Sequence, residues 1–579
     1  MDSSHAGVDG AAPLRRLPPP ARLYLPLLQH QGEPARPCVE IGQQVAKGQC
    51  LGRAAGELSA PVHAPTSGRV VAIVERDIGH ASGRALPCIE LEPDGQERWQ
   101  RLTPWPDWYR RRPNELLSRL AEAGVTGLGG ASYPTAAKLA LASSMPNLGD
   151  AAAATCDLPE PTSPPAPVPA RIETLIINAV ECEPWIGCDD ALLRAHPDQV
   201  LAGAALLGHV LGAARVLIAV DSDLGDARQA LAATLDGALA GSRPAHATTT
   251  DTTSGPRPDH RVPGSVAGKS LSPDPGQEAS ALAGLPAAVL QPLAIVPVSG
   301  RYPQGGERQL VHTLTGHALA AGRWPREVGV ACVNVGTAAA CWRAVASGEP
   351  LVERIVTVTG PGVRSPVNLV APLGTPVADL VAAAGGYSER AARLVLGGPM
   401  MGRALANDGV PLGKSGNCIL VLAAAPAGDD QVMPCIRCGE CARVCPSKLL
   451  PQQLHFHLQA RQWPRAAALG LADCIECGLC AQVCPSRIPL LAWFQHGKGE
   501  LAWQQRSAVQ AEAAQQRHQL RQQRLDRDAA DQAQRLRARE QLAPDPGAGA
   551  LPPVVAAALA RARARGKSPA DAPQDSPSA

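Results

Sequence analysis

The chain has 579 residues, 45% of them hydrophobic but only 3% aromatic, and it carries 17 cysteines. That length exceeds one ordinary domain and predicts three to five units with cores of their own. A formal net charge of +2 is too balanced to argue for nucleic acid or for an acidic partner, and the opening "MDSSHAGVDGAAPLRRLPPP" lacks the apolar stretch of a secretory signal, so a reducing compartment is expected.

Residues 1–22 are expected to be flexible and residues 23–100 to form the first unit. There, "CVEIGQQVAKGQCLG" and "APVHAPTSGRVVAIV" alternate short β-prone runs with Gly and Pro turns, the pattern of a small β sandwich. The two halves resemble the biotinyl/lipoyl hammerhead module, with "VAKGQCLG" and "APTSGRV" at its turns. Such modules carry a prosthetic group on a hairpin lysine. No lysine lies between Gly48 and Ala64, so the unit is expected to be structural.

The connector "TPWPDWYRRRP" opens an α/β unit expected over residues 101–345. A helix is predicted from Asn114 to Ala123, followed by "GVTGLGGASYPTAAKLA". A Gly-rich loop alone is weak evidence, and an ordinary turn before a helix reads the same way. Here the backbone N–H groups of Gly127, Gly129 and Gly130 can crowd a phosphate, and Thr135 and Lys138 follow at a helix start whose dipole favours an anion. The loop is not a Walker A motif, because the Gly-Lys-Ser/Thr ending is absent. Residues 157–170 and 241–280, rich in Pro, Ser and Thr, read as exposed, mobile insertions. Between them "TLIINAVECEPWIGCDD" is a buried strand running into Asn178, Glu181, Glu183, Asp189 and Asp190. Those carboxylates could be general acids, metal ligands or a solvated turn. The most apolar stretch, Val200 to Val220, is long enough to cross a membrane, but it reads as a helix ending near Gly212 and a buried strand from Val216. "RYPQGGERQLVHTLTG" from Arg301 and "CVNVGTAAA" from Cys332 repeat the order of strand edge, Gly loop and helix start. Such loops are expected to converge on a nucleotide at the C-terminal ends of parallel strands.

Residues 346–425 return to strand patterning, with a helix at Val377 to Ala384. Then "CIRCGECARVCP" from Cys435 and "CIECGLCAQVCP" from Cys474 each read Cys-x2-Cys-x2-Cys-x3-Cys-Pro. This is the ligand run of a bacterial two-[4Fe-4S] ferredoxin, in which the fourth cysteine serves the other cluster. The expected sets are Cys435, Cys438, Cys441 and Cys484 for one cluster and Cys474, Cys477, Cys480 and Cys445 for the other. Gly439 and Gly478 let the backbone come close, while Pro446 and Pro485 turn the chain after the departing ligand. Zinc is disfavoured, since zinc sites usually join separated cysteine pairs, or cysteine with histidine, around one ion. The ferredoxin unit is expected over residues 426–498. The other nine cysteines are scattered and read mostly as buried small hydrophobes. Over residues 499–579 a charged, solvated helix to about Leu542 and a disordered Pro/Ala end are expected.

Taken in order, the hammerhead start, "GLGGASYPTAAK", "NAVECEPWI", "RYPQGGERQL", "VNVGT", "GGPMMG" and the double cysteine run resemble the C subunit of the Rnf (Rsx) electron transport complex, over roughly residues 23–495. The middle is similar, more distantly, to the FMN-binding, NADH-oxidising subunit of respiratory complex I. The resemblance implies a multidomain α/β fold: a hammerhead-type β sandwich, an α/β flavin-binding domain, a soluble-ligand-binding β-grasp module, a helical two-cluster ferredoxin domain and a disordered or helical tail. It also implies that Gly127, Gly129, Gly130 and Lys138 lie near the FMN phosphate. Asn178, Glu181 and Glu183 would face the flavin and nicotinamide, the two glutamates as the catalytic pair, with Tyr302, Gly305, Glu307, Asn334 and Thr337 completing the pocket. Leu128, Tyr133 and Gly306 depart from the complex I pattern, which has arginine, phenylalanine and a second glutamate there.

The implied cofactors are FMN and two [4Fe-4S] clusters, with NAD(H) as substrate. The implied partners are the other subunits of a membrane complex and a ferredoxin or similar carrier, with no nucleic acid and no span of the chain's own. The implied place is the cytoplasmic side of the inner membrane, peripherally. A flavin takes an electron pair and can release single electrons, and each cluster carries one, so two clusters in series form a wire to another protein. Ion movement would then belong to membrane subunits. A competing reading is a stand-alone soluble flavin and iron-sulfur oxidoreductase input subunit, and a third is a scaffold whose flavin pocket has decayed.

Overall fold

The computed structural model describes residues 14–56, 58–143, 171–241, 280–320, 322–424, 431–541, 549 and 552–565. Apart from Gly241 and Ser280, both expected insertions lie outside the described residues, as does Cys156. The chain divides into two compact units, Met1–Leu501 and Ala502–Ala579.

In the first unit, strands Leu23–Pro26, Ala85–Pro93, Gly68–Asp77 and Gln44–Val45 form a four-stranded antiparallel sheet. Arg36–Pro37, Cys50–Arg53 and Val62–His63 form a second, three-stranded sheet. Alternation along Leu23–Pro26 buries Leu23 and Leu25, which join Leu51, Val62, Ile89 and Leu91 in one core. Lys47, the lysine nearest the hammerhead turn, is buried, paired with Glu97 at 3.4 Å and 5.0 Å from the Trp99 ring centroid. The expectation of a flexible N-terminus through residue 22 needs correction at Arg15–Arg16. That pair forms a strand parallel to Val367–Pro372, and Arg16 bonds Glu353 at 2.6 Å.

The α/β unit holds a parallel sheet in the spatial order Leu293–Val298, Arg215–Asp221, Thr174–Ala179, Val330–Asn334. In chain order the strands lie third, second, first, fourth. The direction of winding therefore reverses between Thr174–Ala179 and Val330–Asn334, and a crevice opens beyond their C-terminal ends. The helix Pro197–Leu211 is buried on almost every side, so its all-round apolarity is that of a core helix. Gly212, at φ 59°, caps it, and the chain re-enters the sheet at Arg215–Asp221. The stretch of membrane length is thus helix, turn and central strand. Among the described residues no helix is long and apolar enough to cross a membrane.

A six-stranded mixed sheet follows, in the order Arg15–Arg16, Val367–Pro372, Glu353–Thr359, Cys418–Ala423, Ala391–Leu396, Arg403–Ala404, with helix Val377–Ala383 packed on it. Lys414 ties this module to the two before it. Its side chain is fully buried, and Nζ donates to the carbonyl oxygens of Pro61 (2.9 Å) and Gly124 (2.7 Å). Burial without a carboxylate bonded to the ammonium pushes the lysine down to about 7. Burial, helped by that ammonium, pushes His63 down to about 3.

The last part of this unit is helical, with Leu454, Leu458, Leu471, Ile488, Leu490 and Phe494 in its core. Its two cysteine runs repeat in conformation as well as in sequence. Arg437 and Glu476 (φ 59° and 55°), Gly439 and Gly478 (79° and 71°), and Lys448 and Arg487 (56° and 52°) all occupy left-handed backbone at matching positions.

The helix Leu490–Gln541 runs past the end of the first unit, and its residues in the second unit are mostly exposed. A further helix covers Pro553–Arg565, within the end expected to be disordered. Its Ala and Arg content, both strong helix formers, accounts for the difference. Among the scattered cysteines, Cys88, Cys188, Cys332, Cys341 and Cys418 are buried. Cys38 is not: it follows the edge strand Arg36–Pro37 and is exposed, with Sγ 3.9 Å from that of Cys50.

Candidate functional site

Asn178 and Asn334 are register partners on the two strands that flank the crevice. Asn334 begins the helix Val335–Trp342: its Oδ1 accepts from the N–H groups of Gly336 (2.9 Å) and Thr337 (3.3 Å), an N-cap. Its Nδ2 donates to Asp189 at 2.7 Å. Asn178 donates to the carbonyl of Gly305 at 2.8 Å. Gly305 must be glycine, since a Cβ there would lie 2.5 Å from the Val180 oxygen and 2.9 Å from the Cys182 sulfur. Both asparagines and Thr337, whose Oγ1 accepts from Leu128 N at 2.8 Å, therefore hold loops in place.

The Gly-rich loop closes on itself through Gly127 N to Tyr133 O at 2.8 Å. Gly130 has φ 104°, with no atom within 4 Å of where a Cβ would stand. The buried hydroxyls of Thr126, Ser132 and Thr135, all within or beside this loop, have no hydrogen-bond partner among the described residues. Lys138 extends to Glu307 at 2.7 Å, joining two predicted residues from different segments, with both side chains partly open to solvent. Open glycine backbone, unpartnered hydroxyls and an accessible ammonium beside a carboxylate make a donor and acceptor set that fits a phosphate and a polyol. Leu128 is buried and packs with the β-sandwich core. Gly306 is the N-cap residue of helix Glu307–Thr315.

The acidic cluster separates three ways. Glu181 accepts from the N–H groups of Asp189 (3.0 Å) and Asp190 (3.1 Å), and with Cys188 and Asp189 it gathers three potential ligand atoms within 4.8 Å of one another. Burial, and then the Asp189 charge, pushes Glu181 upward, and burial also pushes Asp189 upward. Asp190 pairs with Arg194 at 2.8 Å. Glu183 turns the other way, and its Oε1 accepts from Met400 N (2.8 Å) and Met401 N (2.7 Å). Burial raises this carboxyl as well. The "GGPMMG" segment thus receives a glutamate from the flavin-type domain, a role no local pattern in the sequence announces.

The eight run cysteines line two cavities. One is bounded by Cys445, Cys474, Cys477 and Cys480, with Leu449, Leu454 and Phe494. The other is bounded by Cys435, Cys438, Cys441 and Cys484, with Ile488 and Leu490. Each cavity draws three cysteines from one run and the fourth from the other. Backbone N–H groups aim at sulfur, from Glu476 to Cys474 and from Leu449 to Cys445, both at 3.4 Å. Sulfur in apolar walls with N–H donors suits a [4Fe-4S] cluster, whose potential such bonds tune.

The cavities differ in surroundings. Tyr302 donates to the carbonyl of Cys477 at 2.6 Å, and a Cβ on Gly478 would lie 2.1 Å from the Met400 oxygen. The Cys477 cavity therefore sits against both the flavin-type domain and the loop that receives Glu183. At the other cavity Cys435 and Cys438 are exposed.

Four family models match: the RnfC barrel sandwich hybrid domain over residues 6–96, the Nuo51 FMN-binding domain over 120–343, the SLBB domain over 355–404 and a 4Fe-4S dicluster domain over 434–488. Curated relatives, each named as the C subunit of an ion-translocating oxidoreductase complex, include one from Pseudomonas aeruginosa, 41% identical over 90% of this chain and 57% of the relative. Another, from Rhodobacter capsulatus, is 36% identical over 87% of this chain and 82% of the relative. The chain spans 57% and 66% of the lengths of the Pseudomonas aeruginosa and Citrobacter koseri relatives. A crystal structure of NAD+-reducing [NiFe]-hydrogenase in the H2-reduced state aligns with TM-score 0.39 at 18% identity, over 82% of this chain and 72% of that one. With an FMN-binding domain and a dicluster domain in series and these relatives along its length, the chain belongs to the family of C subunits of the ion-translocating oxidoreductase complex.

Proposed function

We propose that this chain is the peripheral NAD(H)-linked subunit of a membrane-bound complex. On this reading it passes electrons between the nicotinamide and the other subunits through FMN and two [4Fe-4S] clusters, while those subunits move the ion. FMN converts between electron pairs and single electrons, and each cluster carries one. The Gly127–Gly130 loop and Lys138 hold the flavin phosphate, with Glu307 and the loops fixed by Asn178, Gly305, Asn334 and Thr337 shaping the crevice. Glu181, raised by burial and by Asp189, keeps a proton-holding carboxyl on the nicotinamide side. Glu183 acts by fixing the Met400 loop. Cys474, Cys477, Cys480 and Cys445 hold the cluster nearer the flavin, and Cys435, Cys438, Cys441 and Cys484 hold the farther one.

The single observation that carries this order is the 2.6 Å bond from Tyr302, a crevice residue, to the backbone of Cys477. Membership in this family, with no spanning helix among the described residues, supports peripheral attachment, and we place it on the cytoplasmic face. The test is the visible spectrum of anaerobically purified holoprotein before and after NADH. Bleaching of flavin and iron-sulfur absorption is expected. If dithionite bleaches the protein and NADH leaves it oxidised, the nicotinamide assignment fails.

A further inference from the structure

The hammerhead unit holds a pair of thiols that the electron route does not use. Cys38 and Cys50 line neither cysteine cavity, and among the described cysteines outside the two runs Cys38 alone is exposed. Cysteine is among the residue types most often buried, so a thiol in water with a second sulfur 3.9 Å away needs a reason. The backbone holds the two in place. Cys38 follows strand Arg36–Pro37, which pairs with Cys50–Arg53, and Cys38 N continues that ladder to Leu51 O at 2.9 Å. The loop between them is tied by its own glutamines: Gln43 Oε1 accepts from Glu40 N at 2.9 Å, and Gln49 Oε1 accepts from Ala46 N at 3.0 Å. Val39, Val45 and Leu51 anchor the same stretch in the sandwich core. The two sulfurs differ in setting. Cys38 is open to solvent, whereas Cys50 is half-buried. Burial first, and then the neighbouring Cys38, pushes the Cys50 thiol up to about 12, with the Arg53 charge opposing.

We infer that Cys38 and Cys50 form a thiol–disulfide exchange site whose substrate is a small-molecule disulfide of the oxidised glutathione class. From 3.9 Å, bond formation asks the sulfurs to close by about 2 Å, at the end of a strand. Cys38, the accessible sulfur, attacks first as the thiolate. Its bond to one sulfur of the reagent forms as the reagent's own S–S bond breaks, and the leaving thiolate takes up the proton that Cys38 lost. Cys50 then gives up its proton and attacks the Cys38 sulfur, and the second small thiolate leaves and is protonated. Two protein thiols are oxidised to one disulfide while the small disulfide is reduced to two thiols. Excess small thiol runs the exchange backwards. A disulfide that is exposed and closes so short a loop belongs to the labile kind, not the structural kind. The exchange needs neither flavin nor cluster and so stands apart from the proposed electron route.

The test incubates the full, cluster-loaded chain anaerobically with oxidised glutathione, blocks remaining thiols with N-ethylmaleimide and digests with trypsin, which cuts after Lys47 and so parts the two cysteines. Mass spectrometry is expected to find the Cys38 peptide joined to the Cys50 peptide by a disulfide, with iron content unchanged, and dithiothreitol should restore both thiols. Cys50→Ser should stop the reaction halfway, with glutathione held on Cys38. Cys38→Ser should take up glutathione at Cys50 at least about tenfold more slowly, because that sulfur is less accessible and less ionised. Cys50→Ala replaces Cys50→Ser if the latter loses iron. Absence of the joined peptide overturns the inference, as does glutathione left on Cys38 of the wild-type chain, or equal uptake by the two variants. A link between Cys38 residues of two chains overturns it as well. So does a joined peptide that forms only as iron is lost, which would assign the oxidation to released cluster cysteines.

Discussion

At the residue scale, most of the polar side chains the sequence singles out are already bonded, and their bonds sort them by role. Lys138 donates to Glu307, and both are partly accessible, so on the proposed reading its ammonium can donate to a phosphate as well. Lys138→Ala removes the ammonium and leaves the Glu307 carboxylate facing the anion. Loss of a charged hydrogen bond of about 1.5–3 kcal/mol corresponds to roughly ten- to hundredfold weaker flavin retention, with iron content unchanged. Equal loss of flavin and iron would mark Lys138 as a folding residue. Glu183 makes a different case, because Gln can still accept from Met400 and Met401 while Ala orphans two N–H groups. Stopped-flow reduction by NADH should be near normal in Glu183→Gln and clearly slowed in Glu183→Ala. Equal slowing of both would mean that the charge itself acts. Lys414 sets a pH dependence. Its folded value near 7 lies below the unfolded value of about 10.4, so between these the unfolded chain holds the extra proton. Stability from this group therefore rises with pH across that window, by up to about 1.4 kcal/mol per pH unit. Urea midpoints of Lys414→Met should show a flatter slope than wild type from pH 7 to 10, and parallel slopes would refute the assignment.

At the element scale, local patterns carried far. The helix that ends at Gly212 and the strand beyond it were legible because helical and strand periods differ and a left-handed glycine closes the helix. The Gly loop and both cysteine runs were legible because their chemistry is packed into a dozen residues. What pairs with what was not. Lys138 and Glu307 lie 169 residues apart and Lys414 and Pro61 lie 353 apart, and no periodicity spans such distances. Leu128, which departs from the complex I pattern, packs in the core of the neighbouring β sandwich. Gly439 and Gly478 looked equivalent, yet their surroundings differ. Both hold left-handed backbone, so Ala at either costs about 1 kcal/mol. Only at Gly478 would the new Cβ also collide with the Met400 carbonyl. Gly439→Ala should lower the urea midpoint slightly and leave NADH-driven cluster reduction intact. Gly478→Ala should lower it further and slow that reduction, and indistinguishable variants would remove the close contact from the electron route.

At the scale of the molecule, the fold places the flavin-type crevice, an inner cysteine cavity and an outer one in sequence, and the crossed ligation we propose would make the two cavities one structural piece. Repetition of the run would thus supply two stations, each completed by one cysteine of the other run, one against the crevice and one at the surface. The central claim is that Cys445 serves the cluster built on Cys474, Cys477 and Cys480, not the one beside it in sequence. Electron paramagnetic resonance of dithionite-reduced Cys445→Ala tests it directly, with Cys477→Ala and Cys441→Ala as references. The account predicts that Cys445→Ala loses, or converts to a three-iron form, the signal perturbed in Cys477→Ala and keeps the one perturbed in Cys441→Ala. A Cys445→Ala spectrum that matches Cys441→Ala would contradict it.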